Sequence, residues 1–112
     1  MARLIVKPIA DAHRAASGNR KDANIIVSVS HHSGKSVLNL EKSNFDVSAF
    51  YTPTGVDVHI TGTAYAGNSP GVYGISVEPI DKKYWKTGQH IIVITVTKNK
   101  GRGQPLVSLW ID

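Results

Sequence analysis

The chain has 112 residues, 41% hydrophobic and 19% charged, with 13 Lys plus Arg against 8 acids and a net charge of +5. That length fits one domain able to bury a core without staples, and the composition excludes wholesale disorder. With no cysteine, disulfides, thiolate metal sites and a cysteine nucleophile are excluded, while the surplus of cations favours anionic partners.

No apolar run approaches the length of a membrane span. Leu4-Ile5-Val6 is too short for the core of a secretory signal and is cut by Lys7 and Pro8. The chain is expected to be cytoplasmic as written, or a domain cut from a secreted or surface protein.

Residues 1–23 read as an N-terminal edge strand over Arg3 to Ile9 followed by an irregular connection. Pro8 suits only an edge that need not donate there. Ala10 to Ala16 could add one or two helical turns, and Ser17 to Asp22 is a polar loop. Residues 24–112 then alternate. Asn24 to Ser30 places Ile25, Val27 and Val29 on one face, His31 to Lys35 turns, and Phe45 to Tyr51 places Phe45, Val47, Ala49 and Tyr51 together. Thr52-Pro53-Thr54-Gly55 turns into a strand from Val56 to about Tyr65. A loop at 66–71 precedes Val72 to Glu78, and a basic, aromatic connection fills Pro79 to Gly88. The dense run His90 to Thr97 and the closing run Pro105 to Ile111 form a hairpin around Asn99 to Gly103, with Gly101 and Gly103 expected at positive φ.

Period-two alternation between regular turn signals predicts a sandwich or barrel. Seven or eight strands suit an all-β, Greek-key β-sandwich. Its expected core is Ile25, Val27, Val29, Phe45, Val47, Val58, Ile60, Tyr73, Ile75, Val77, Ile92, Ile94, Val96, Leu109 and Trp110. Lys7, Pro8 and Pro105 read as protection of open sheet edges, through which partners or copies could add a strand.

Two stretches carry a resemblance. Ile25-x-Val27-x-Val29 leads through Ser33-Gly34-Lys35-Ser36-Val37 and Leu40 to Phe45-x-Val47. Pro70-Gly71-Val72-Tyr73-x-Ile75-x-Val77 leads through Trp85-x-x-Gly88 to Ile91-x-Val93 and Val96. Over about residues 24–111 the chain resembles bacterial immunoglobulin-like modules, whose strand runs into a Gly-Lys-Pro-Val turn, a leucine and an Asp-Phe-x-Val strand, and whose closing half has a Gly-x-Tyr strand, a Trp-x-x-Gly turn and a hairpin. Asn44 stands where that pattern has Asp, and Ser36 where it has Pro. The resemblance implies an immunoglobulin-like sandwich serving as spacer, stalk or binding platform, with Trp85 structural. Transthyretin-like hydrolases share the size and architecture, but their closing Tyr-Arg-Gly-Ser motif is missing from Leu109-Trp110-Ile111-Asp112.

The strip Lys82, Lys83, Tyr84 and Lys86 brackets aromatic rings with ammonium groups, a pattern that can stack a base or sugar while holding phosphate or carboxylate. Lys98, Lys100 and Arg102 on the final hairpin could extend it into one basic surface. Against this, Trp85 suits a core plug with the lysine stems lying along the surface. Asp57 and His59 share one strand face, and with His90 alongside they would make a set that zinc accepts. They equally suit the wet face of a strand with Thr61 and Thr63, so no metal or cofactor is assigned. His31 and His32 are adjacent and point apart in extended chain. Gly34-Lys35-Ser36 lacks the upstream glycine of a phosphate loop, that position being Val29. There is no Gly-x-Ser-x-Gly elbow either.

The expected function is therefore non-enzymatic: an interaction or structural module that meets a protein partner through loops 66–71, 79–88 and 98–104 at one end, or through a sheet edge. A second reading is a binding module for an anionic polymer, single-stranded nucleic acid or acidic glycan, through the Lys and aromatic residues above. A third is a metal-dependent enzyme on the same scaffold.

Overall fold

The computed structural model describes residues 2–53, 55–65 and 69–112. Among them are eight strands and a single 3-10 turn at Lys42–Asn44, with no α-helix. The strands are β1 (Ala2–Asp11), β2 (Ala23–His31), β3 (Phe45–Tyr51), β4 (Val58–Tyr65), β5 (Val72–Pro79), β6 (Gly88–Lys98), β7 (Gly101–Gly103) and β8 (Leu106–Ile111).

Pairing divides them into two sets. β1, β2, β5 and β4 follow one another antiparallel. β6 pairs β3 along one side, and on the other pairs β8 with its first half and β7 with its second. β7 and β8 run as one strand broken at Gln104-Pro105. The ladder survives the break because the Pro105 carbonyl still accepts the Ile94 N–H at 3.0 Å. β1 joins the sets: Leu4 to Asp11 pair β2, whereas Ala2 and Arg3 pair Gly101 and Arg102 of β7 in parallel. The result is one mixed eight-stranded sheet wrapped around one core.

Branched side chains at every second position fill that core, as the pleat requires. Ile25, Val27 and Val29 of β2 meet Ile75 and Val77 of β5, Ile92, Ile94 and Val96 of β6, and Val107, Leu109 and Ile111 of β8, all buried. The phase of β8 corrects one expectation. Val107, Leu109 and Ile111 take the inner positions, so Trp110 points outward and is 60% exposed. Ile60 is only partly buried at the core's rim. Leu4, Val6 and Ala15 of the N-terminal segment are core residues.

Three further expectations change. No helical turn forms over Ala10 to Ala16: β1 continues to Asp11, whose carboxylate accepts the His13 N–H at 3.0 Å while His13 takes a φ of 54°. A register shift between Ala49 and Tyr51 breaks the shared face of β3, and Tyr51 is exposed. Gly101 and Gly103 are not turn residues. The turn is Asn99-Lys100, with Asn99 at φ 55°, and the glycines are needed for close approach. A Cβ on Gly103 would lie 2.5 Å from Val6 Cγ2 and 2.7 Å from the Leu4 carbonyl oxygen.

The antiparallel register places the connections at two ends. The start of β1, the β2–β3 connection, Ser69 to Gly71 and the β6–β7 turn share one, the hairpin end. Loops 12–22 and 80–87 share the other. Loop 79–88 therefore does not join 66–71 and 98–104. Residues 66–68 of the expected 66–71 loop, and Thr54 of the 52–55 turn, lie outside the described residues.

Candidate functional site

The basic strip is split by β6. Lys82, Lys83, Tyr84 and Lys86 precede this strand and Lys98, Lys100 and Arg102 follow or end it. Its 11 residues, at about 3.3 Å each, hold the two groups about 33 Å apart.

At the far end, Trp85 is buried and acts as a stitch between loops. Its Nε1–H donates to the Lys21 carbonyl at 2.7 Å, its N–H donates to the Asn19 carbonyl at 2.8 Å, and its carbonyl accepts the Gly18 N–H at 2.9 Å. The lysines around it stay in solvent. Tyr84 is exposed, with the Arg20 guanidinium over its ring at 5.8 Å from the centroid. That ring face is already occupied by a cation of the chain itself.

Asp57, His59 and His90 do not converge. The Asp57 carboxylate accepts the N–H groups of Ala49 at 2.6 Å and Val58 at 2.8 Å, tying the start of β4 to the open edge of β3. Its backbone role delays β4 to Val58. His59 lies on β4 with Nε2 3.3 Å from Glu78 of β5. His90 is buried in β6, edge-on to Trp85 at 5.3 Å, and desolvation lowers its pKa while the Gly88 carbonyl opposes this weakly. Among the described residues no group of three His or acidic side chains is placed to hold a metal ion.

The hairpin end holds a cleft of about 580 Å3. Leu4 of β1 and Val37 form its buried floor, Leu38 stands exposed on one wall, and Asn99, Lys100 and Gly101 form the other. The first wall is fixed rather than loose. The Val37 N–H donates to the Val29 carbonyl at 3.0 Å. The hydroxyl of buried Tyr73 donates to the Val37 carbonyl at 2.6 Å and accepts the Leu40 N–H at 3.3 Å. Asn44 accepts the Glu41 N–H at 2.7 Å and donates its amide to the Thr97 carbonyl at 2.8 Å. Lys98 crosses between the walls, donating to the Leu38 carbonyl at 2.7 Å.

The rim is cationic. Lys98 is committed to backbone carbonyls, whereas Lys100 lies against open space in the cleft and in the adjoining groove with Arg102. Arg102 stands directly opposite Arg3 in the parallel β1–β7 pairing, and both are exposed. Like charges opposed across strands destabilise a sheet, so an anion shared between Arg3 and Arg102 would relieve a built-in repulsion. Among the described residues the only ion pair is His59–Glu78, and no Lys or Arg joins an acid. Sequence reading found Lys98, Lys100 and Arg102 but missed Arg3, Leu4, His31 and Leu38. Only the parallel pairing of the chain's two extremities and the β2–β3 connection bring them to this end.

No helix among the described residues is long and apolar enough to cross a membrane. Compared with protein-family models, curated proteins and solved structures, the chain gives no significant match.

Proposed function

We propose that the chain is a non-enzymatic immunoglobulin-like β-sandwich module that docks an acidic partner protein at its hairpin end. The sandwich reading is supported by the partition of strands into β1-β2-β5-β4 and β3-β6-β7/β8, the division into ABED and CFG sheets found in constant-type immunoglobulin domains. The contact reading rests on one observation: an apolar floor of Leu4 and Val37 between a wall carrying exposed Leu38 and a wall carrying Lys100, which also lines the adjoining groove with Arg102, on a braced scaffold. Such a surface suits a peptide segment offering an apolar side chain beside carboxylates. His90, with its lowered pKa, sits in the core against Trp85 rather than at this cleft, which favours contact over proton-transfer chemistry.

A second reading, contact with an anionic polymer, is favoured by the opposed Arg3 and Arg102 alone. One titration separates the two. The protein is mixed with a Glu/Leu peptide, with heparin and with short single-stranded DNA, at low and physiological salt. Peptide binding that survives physiological salt and is lost in Leu38→Ala and in Lys100→Glu with Arg102→Glu is the expected result. Heparin or DNA binding that survives, insensitive to Leu38→Ala, would favour the polymer, whose affinity should fall steeply with salt. Binding of none of the three would overturn the hairpin end as the contact surface.

A further inference from the structure

The outer face of β3, β6 and β8 carries a tract that the hairpin-end cleft does not use. The alternation that buries Ile92, Ile94, Leu109 and Ile111 turns Ile91, Val93, Leu106 and Trp110 to the other side. Register then groups them. Val93 stands opposite both Leu106 and Ser48, Ile91 opposite Tyr51 and Ser108, and Gln89 opposite Trp110. The register shift at Ala49/Tyr51 adds Phe50 beside Tyr51, as a bulge sets two residues against one. Phe50 is 68% exposed, Tyr51 54%, Leu106 54% and Trp110 60%, half of the large exposed hydrophobics among the described residues.

This tract is uncharged. From Ser48 to Tyr51, Gly88 to Thr97 and Leu106 to Ile111 there is no Asp, Glu, Lys or Arg, although the chain carries +5 overall. Charge stands only at its two ends: Asp46, Arg102 and Arg3 at the hairpin end, and at the other Asp112, whose carboxylate accepts the Trp110 Nε1–H at 3.1 Å. Aromatic enrichment with charge depletion marks the centre of a protein interface rather than ordinary surface. The aliphatic rows Ile91, Val93 and Leu106 offer no polar groups to a sugar.

We infer that this tract pairs two copies of the chain face to face about a twofold axis. A twofold contact needs one patch that complements itself. Two copies each carrying +5 repel over their basic surfaces, and this uncharged face is where they can meet without opposing like charges. Keeping the Arg3–Arg102 clusters apart sets the two hairpin ends in opposite directions. Both clefts stay open, so the pairing is independent of the docking proposed above. Five residues of rise about 3.4 Å on three strands about 4.8 Å apart cover a few hundred square ångström per copy. That lies below the about 800 Å2 per partner of a standard interface, so the dimer is weak and reversible.

Sedimentation of the intact chain over a wide concentration range tests this, with Trp110→Arg and Leu106→Lys as variants whose fold is checked by thermal unfolding. The expected result is a mass that climbs from monomer to dimer with concentration and is held or raised by added salt, which screens the repulsion between the two basic copies, and a monomer at every concentration in both variants. Should Leu106→Lys fail to fold, Trp110→Arg, altering an exposed ring, still decides. A wild-type chain that stays monomeric throughout would overturn the inference. So would a dimer that survives Trp110→Arg, or one that salt dissolves.

Discussion

The indole of Trp85 and the imidazole of His90 meet edge to face, their centroids 5.3 Å apart and their planes 78° from parallel. The contact suits a neutral imidazole: both rings are buried, and burial lowers the His90 pKa below its ordinary value. In the unfolded chain His90 protonates near the usual value of about 6.5. Stability is therefore full above about pH 6.5 and falls as pH drops below it, because the unfolded state binds the proton first. Denaturant midpoints across this range should decline for the wild type, and the decline should be smaller in His90→Phe. Equal slopes in the two proteins would show that His90 is not the group responsible.

Trp85 contributes through both its ring and its N–H. Trp85→Phe keeps most of the packing but leaves the Lys21 carbonyl without its donor, an expected loss of about 1–3 kcal/mol. Trp85→Ala also leaves a cavity between loops 12–22 and 80–87 and should cost about 3–5 kcal/mol. Urea unfolding of the two variants measures both steps.

Gly103→Ala tests the approach of β1 to β7. The new Cβ would meet the Leu4 carbonyl oxygen at 2.7 Å, a backbone atom that cannot swing aside. β1 must shift, at about 1–3 kcal/mol. Amide exchange should report the damage, with protection lost at Arg3 to Val6 while the β2–β5 ladder remains protected.

Asn44→Asp tests the brace behind the cleft. A carboxylate can still accept the Glu41 N–H but cannot donate to the Thr97 carbonyl. The expected loss is about 1 kcal/mol, with weaker peptide binding at Leu38 and Lys100 as the wall loosens. Unchanged stability and binding would show that the brace carries no weight.

The strands were legible because alternation is written residue by residue. Ile25-x-Val27-x-Val29 and Tyr73-x-Ile75-x-Val77 lie in the core as their spacing implies. Where apolar residues run together the phase is ambiguous. In Leu106-Val107-Ser108-Leu109-Trp110-Ile111 both phases contain large hydrophobics, and only the pairing Gln89–Trp110 fixes which one faces out. The basic strip failed for a different reason. Tyr84 and Lys100 are close in sequence, yet an extended strand lies between them and sends them to opposite ends. Arg3, in contrast, gains its place beside Arg102 only through pairing that no local pattern announces.

That pairing has a kinetic consequence. Arg3 and Arg102 enclose nearly the whole chain, so the β1–β7 contact closes a loop that takes in almost every strand. Contacts of such separation form slowly, since the chain must be ordered before they repay the closure entropy. During synthesis, β1 can hydrogen-bond to β2 soon after both emerge. Ala2 and Arg3 have no β7 to join until the final dozen residues are made. Until then the lower edge of β1 and the row Leu4 and Val6 stay uncovered, and this unfinished seam is where association of nascent chains would begin.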